Sequence, residues 1–232
     1  MSAAAVAAGP SFSDRIGHLL ERVDYRRADS HEVREDIFRL RYDAYLREGA
    51  IPQNFNKRFA DDYDESPNAW IFGIYVEDQL ASSIRLHVAT RENPDLPGNR
   101  VFSDILGPEI EAGRTVIDPT RFVADHNCTR LYPEVPYITV RLAWLASEYF
   151  QTDLLLATVR AEHQAFYKRV FGHKPICPPR PYPSLTKPIS LMTLDYPNER
   201  ERVMQRYPFF RSTYFERRML FERAVALPQR AA

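Results

Sequence analysis

Apolar positions recur along the chain in two periods, and the switches between them mark out its elements. Over residues 12–23, Ile16, Leu19, Leu20 and Val23 fall on one side of a helical winding, which predicts a short helix. Ser30 is suited to cap a second helix reaching about Glu48, with Val33, Ile37, Leu40 and Ala44 as its apolar stripe. Two strand-like runs follow at 69–76 and 79–88, and Glu77-Asp78 between them is a hairpin signal. A third strand is expected over roughly 114–123. Pro136 is placed to open a helix from Tyr137 to Phe150, because proline suits a first helical turn. Asp153 to Val159 holds adjacent apolar residues, the pattern of a strand covered on both faces. Ala161 to Phe171 reads as a helix stopped by Gly172. A proline-dense loop over 177–188, a last strand from Ile189 to Leu194 and an Arg-rich helical tail over 196–223 complete the chain. This order predicts an α/β (α+β) sandwich in which helices flank a mixed sheet.

Composition narrows the function. The 232 residues carry 31 basic and 31 acidic side chains, so no cationic excess suggests nucleic acid as a partner. At 44% hydrophobic and 27% charged residues, a sizeable core is available and global disorder is excluded. Residues 1–11 are expected to be a loose tail and 12–232 one domain with a helical extension at its end. No apolar run approaches the ~18 residues of a spanning helix. Two cysteines, Cys128 and Cys177, make no disulfide framework, and the expected compartment is the cytoplasm. No metal-binding, phosphate-loop or Gly-x-Ser-x-Gly motif is present, so metal, nucleotide and serine-nucleophile chemistry are not expected.

A few charged residues sit where apolar ones are expected. Arg41 borders the stripe of the second helix; it either faces a cleft or pairs with Asp61 or Asp64 in the acidic run after that helix. Strand alternation sends Leu80, Ile84, Leu86 and Val88 to one face and Ser83, Arg85 and His87 to the other, which fits a cleft wall or a solvated sheet face. Asp118-Pro119-Thr120-Arg121 interrupts a strand, since Pro119 has no ladder donor. A bulge there would bring Asp118 and Arg121 to one side, as a base for an amine and an anchor for a carboxylate or carbonyl, or as a plain salt bridge. His163 and Tyr167, four apart on the 161–171 helix, either meet a ligand or pack; Tyr167 could protonate a departing thiolate. The seven arginines of 200–223 could dock an acidic partner or simply be solvated.

Taken in order, Arg39-Leu-Arg-Tyr-Asp-Ala-Tyr45, Asp61-Asp-Tyr-Asp64, Ser83-Ile-Arg85 and Asp118-Pro-Thr-Arg-Phe122 resemble the acyl-homoserine lactone (autoinducer) synthases. The run Val159 to Arg169 and the Pro-Tyr-Pro at 181–183 resemble more closely their FeeM-type N-acyl amino acid synthase relatives. The resemblance runs from about residue 24 to about 195. It implies a GNAT-like three-layer sandwich and transfer of a long acyl chain from an acyl carrier protein thioester to the amine of an amino acid. On that basis Asp118 and Arg121 are the catalytic candidates. Arg41, Asp61, Asp64, Arg85, His163 and Tyr167 are the substrate-binding ones. No tightly bound cofactor is implied; the co-substrate is the acyl-phosphopantetheine thioester on its carrier protein.

Asp118 stands where autoinducer synthases usually carry Glu, and Ile51 where they usually carry Trp, which favours an amino acid over a lactone precursor. A lactone-forming synthase and a non-catalytic acyl or carrier-protein binding module are the alternatives. Acetyl-CoA users of this superfamily cradle pyrophosphate on a Gly-rich loop, whereas Ala124 to Glu134 here contains no glycine, as suits a carrier-protein donor. The 137–150 helix, apolar nearly all round, needs cover on every side, and an acyl tunnel is expected along the side that Leu154–Ala157 leaves open.

Overall fold

The computed structural model describes residues 9–183 and 185–223; of the tail expected at 1–11, residues 1–8 lie outside them. Seven strands form one mixed sheet: β1 (Val23–Arg27), β2 (Ala69–Val76), β3 (Gln79–Ala89), β4 (Val116–Ala124), β5 (Leu154–Val159), β6 (Lys174–Pro175) and β7 (Ser190–Asp195). Their spatial order is β1-β2-β3-β4-β5-β7-β6. Only β4 and β5 run parallel; the other pairs are antiparallel. The β2–β3 hairpin forms as expected. Glu77 and Asp78 both take the left-handed backbone (φ 49° and 62°) that a two-residue turn matched to strand twist requires.

Among the described residues, eight α-helices flank the sheet: α1 (Phe12–Leu20), α2 (His31–Arg47), α3 (Asn99–Glu111), α4 (His126–Leu131), α5 (Val135–Tyr149), α6 (Gln164–Val170), α7 (Tyr196–Arg206) and α8 (Tyr214–Phe221). α2 starts at Ser30, whose hydroxyl accepts from the Val33 amide as a cap should. Its buried face runs through Ile37, Phe38, Arg41 and Ala44, rotated from the expected stripe, so Arg41 lies inside that face rather than at its border. α1 ends at Leu20, earlier than expected, and Val23 opens the edge strand β1 instead.

Alternation along β3 divides the core. Ile84, Leu86 and Val88 join the main apolar cluster with Val140, Trp144 and Leu145 of α5. The opposite face carries α2 and α3 and, between them, the polar side chains of β3 and β4. Trp144 is fully buried, stacked on Phe171 at 5.4 Å and edged by Tyr196 at 4.8 Å. α8, α1 and the turn at Pro208–Phe210 cover the side of α5 turned away from the sheet. Arg141, buried on α5, fastens this cover: it donates to the carbonyls of Phe209 (2.6 Å) and Arg211 (3.0 Å) and to Glu216 (2.6 Å).

Protein covers the side of α5 turned away from the sheet, and Pro136 in its first turn borders a cavity. In the Arg-rich tail, Arg200 pairs with Glu148, Arg202 with Glu199, Arg211 with Glu201 and Arg218 with Glu222, each arginine side chain remaining half-exposed. No helix among the described residues is long and apolar enough to cross a membrane.

Candidate active site

β4 and β5 pair only at Val116↔Leu154 and Ile117↔Leu155, and then splay apart. From Asp118 onward, the edge of β4 that faces β5 has no ladder partner. The opening between the strands is a cavity of about 440 Å³, walled by Pro119, Phe122 and Val123 on one side and by Thr158, Val159, Phe166 and Tyr167 on the other. Tyr45, Arg47, Glu48, Arg160 and His163 also line it.

β4 also bulges. Ser83 pairs with Val123 and Arg85 with Thr120, so Arg121 and Phe122 together face the single residue Ile84. Arg121 takes the left-handed backbone (φ 53°), unusual for a side chain that is not glycine and a form of strain that concentrates at functional sites. The bulge brings Arg121 to the face already occupied by Asp118 and Thr120.

Beside the cavity, that face holds an ionic network. Arg41 Nη1 donates to Asp64 Oδ1 at 2.8 Å, and Arg85 Nη1 donates to Asp64 Oδ1 (2.8 Å) and Asp61 Oδ1 (2.5 Å). Arg85 Nε reaches Thr120 Oγ1 at 3.1 Å, and Arg121 donates to Asp61 Oδ2 from Nε (3.2 Å) and Nη2. Asp61 caps a short turn, Asp62–Glu65, that contains Asp64, and the Asp61 amide donates to Asp64 Oδ2 at 2.9 Å. Arg41 and Arg85 are 0% exposed. Burial alone would raise the Asp61 carboxyl, but Arg121 and Arg85 outweigh it and hold it far below the ordinary carboxylate range. Asp64 is likewise held low by Arg41 and Arg85 against its own burial. Burial brings Arg41 down to about 10, with Asp64 opposing, and it remains a cation at neutral pH. Three guanidiniums face two carboxylates, which leaves one positive charge over.

The sequence-level candidates fall into three groups. Arg41, Asp61, Asp64, Arg85 and Arg121 are brought together as one network; Arg41 does pair with Asp64, and the β3 polar face is a buried wall rather than a solvated one. Asp118 shares their face but does not pair with Arg121, which corrects that expectation. Its Oδ2 accepts from the Gly98 amide at 2.9 Å and its Oδ1 from the Thr158 hydroxyl at 2.9 Å, while the bulge turns Arg121 to Asp61. Burial pushes Asp118 up to about 6, although both hydrogen bonds favour its charged form. A Cβ at Gly98 would stand 3.2 Å from Asp118 Oδ2 and 3.0 Å from two leucine methyls, so a larger residue would have to push these neighbours aside. His163 and Tyr167 both line the cavity. Burial raises the Tyr167 hydroxyl above its usual value and keeps it protonated. His87 is no base: burial and Arg85 push it down to about 3, and its Nε2 lies 3.1 Å from the Tyr63 carbonyl.

A family model described as "N-acyl amino acid synthase FeeM" matches residues 36–195, which span the network, the bulge and both cleft strands. The chain belongs to the FeeM family of N-acyl amino acid synthases. It is an acyltransferase enzyme that acts on an amine. FeeM itself, from uncultured soil microbes, superposes with a TM-score of 0.66 at 18% identity, over 79% of this chain and 96% of that one. TofI, solved in a ternary complex with an inhibitor and MTA, gives 0.57 at 14% identity over 82% of this chain and 100% of its own. MesI, a CoA-dependent acyl-homoserine lactone synthase, gives 0.54 at 17% identity over 81% and 95%. These identities show a shared GNAT-like fold and nothing finer. No curated protein sequence matches the chain.

Within this FeeM-family site, Thr158 and Gly98 were not singled out from the sequence. Thr158 carries a signal, being the one hydroxyl in the apolar run Leu154-Leu-Leu-Ala-Thr-Val159. Gly98 carries none, because its role is fixed by a strand twenty residues further on.

Proposed function

We propose that the enzyme moves a long acyl chain from a carrier-protein thioester to the amine of an amino acid. The observation that carries the donor assignment is the state of the backbone amides beyond β4. Asp125 caps α4 and accepts from the amides of Asn127 (2.9 Å) and Cys128 (2.8 Å). At the start of α5, the Val135 amide donates to Tyr132, the Tyr137 and Ile138 amides donate to Glu134, and Pro136 has none. These five amides are therefore closed to a pyrophosphate, and the Asp125 and Glu134 carboxylates oppose it. A pantetheine arm presented by a protein brings no nucleotide and needs no such cradle.

The acceptor's carboxylate matches the surplus positive charge at Arg121, whose bonds to Asp61 use only Nε and Nη2. The uncharged amine attacks the thioester carbonyl, and open backbone donors along the splayed edge of β4 stabilise the oxyanion. Collapse forms the amide C–N bond and breaks C–S. Tyr167 gives its proton to the thiolate. The proton lost by the amine passes through the Thr158 hydroxyl to Asp118, whose raised pKa suits a base at neutral pH.

Turnover with one acyl chain on carrier protein and on CoA tests the donor, and mass spectrometry of products from a mixture of amino acids tests the acceptor. The expected outcome is a preference for carrier protein and an N-acyl amino acid product. Equal efficiency with both donors overturns the donor assignment. A lactone product in place of N-acyl amino acids overturns the acceptor.

A further inference from the structure

The cleft carries a set of charges that acyl transfer itself leaves unused. Arg160 follows the end of β5 with its side chain only 12% exposed, and it lines the cavity. Its Nη2 donates to Glu48 Oε2 and lies 2.9 Å from His163 Nε2. An arginine is always protonated, so His163 accepts this bond as a neutral ring. Arg47, Glu48 and His163 share the lining, and Lys187 approaches through Glu162, 3.7 Å from it. Glu48 follows the end of α2 and Arg160 the end of β5, so their ion pair spans two walls of the opening.

An acyl chain takes nothing from such a pair, and partly burying one costs desolvation. The pair makes sense where an anion enters. The amides of Asn127, Cys128, Val135, Tyr137 and Ile138 on the α4 and α5 wall are already occupied, which favours side chains as the holders of a phosphate arriving with the donor. A guanidinium offers a planar fork that fits phosphate oxygens, and Arg160 is already oriented.

We propose that Arg160, with His163 beside it and Arg47 in the same lining, binds the phosphate of the pantetheine arm. Glu48, together with Glu162, whose Oε1 lies 3.5 Å from Arg160 Nε, keeps the guanidinium in place until that phosphate displaces Glu48. The inference rests on the thioester-donor reading given above.

One acyl chain is supplied on pantetheine and on 4′-phosphopantetheine, with a fixed amino-acid acceptor. kcat/KM for each donor is measured in the parent enzyme, in Arg160→Gln and in Glu48→Gln. The ratio of the two values is compared within each protein, so that any general loss of activity cancels. The parent should favour the phosphorylated donor by about 10–100-fold, the worth of a hydrogen bond between charged groups. Arg160→Gln should bring the ratio close to one, and Glu48→Gln should raise it. A parent ratio near one, an Arg160→Gln enzyme that keeps the preference, or a ratio lowered by Glu48→Gln overturns the proposal while amide formation stands. If neither donor yields amide, the thioester reading falls, and this inference with it.

Discussion

The two faces of β3 solve opposite problems within one strand. On the α5 side, Ile84, Leu86 and Val88 pack into an aromatic-rich core around Trp144, where shape decides stability. On the α2 side, Ser83, Arg85 and His87 are as thoroughly buried, and Arg85 meets the carboxylates of Asp61 and Asp64. Desolvating three guanidiniums and two carboxylates is a poor route to stability, since an apolar replacement of the same volume often does as well or better. We propose that they serve a substrate instead. The difference teaches that burial has two meanings in this molecule: on one face it holds the fold, and on the other it strengthens the attraction between charges.

Substitutions can break that division, and the largest effect is expected at Asp118. Asp118→Asn keeps the shape and one carbonyl oxygen for Gly98 while removing the base, so turnover should fall about 10²–10⁴-fold. In the parent, kcat should decline as pH drops below about 6, because protonation removes the base, and the variant should lose that limb. Steady-state pH profiles with melting curves in parallel would decide; a loss of activity that tracks a loss of melting temperature would make Asp118 structural.

Trp144→Ala attacks the other face. It should cost about 3–5 kcal/mol in a denaturant titration while the remaining folded enzyme keeps its donor preference. A changed preference would mean that the two faces are not separate.

The smallest effect is expected from acid. Asp61 and Asp64 are held below their ordinary value of 3.8, so the stability they contribute is present above that pH and is lost as pH falls through their lower folded values. Asp118 acts in the opposite sense: raised to about 6, it favours the fold when protonated and weakens it as pH rises from 3.8 through 6. Unfolding free energies measured across this range in the parent and in Asp118→Asn should separate the two, with the variant losing only the second trend.

Much of this architecture is legible in the sequence where local rules govern it. The Ser30 cap, the Glu77-Asp78 turn and the stop at Gly172 (φ 89°) each depend on neighbouring residues, and each stands where the pattern places it. β1 was hidden because an edge strand reading Val-Asp-Tyr-Arg-Arg looks like surface, its arginines paired with Asp24, Asp78 and Asp29. α3 was hidden by Gly107-Pro108, which reads as a stop, although Phe102, Leu106 and Ile110 make a regular buried stripe. The polar residues of the site were visible as oddities in apolar runs. Their partners were not, because Asp118 is claimed by Gly98 from twenty positions away and Arg121 by Asp61 from sixty. Strand patterning tells which face a charge takes, but long-range topology decides what it meets there.

The fastening of α5 by Arg141 has a consequence for how the molecule is made. A chain growing from its N-terminus completes the sheet-facing side of that helix well before residues 209–221, which seal the other side, have been synthesised. Until then, part of the surface around Trp144 stays uncovered, and its closing contacts join segments some seventy residues apart. The nascent protein therefore passes through an interval with an aromatic surface open to chaperones and to other unfinished chains, and that interval ends only when α8 arrives.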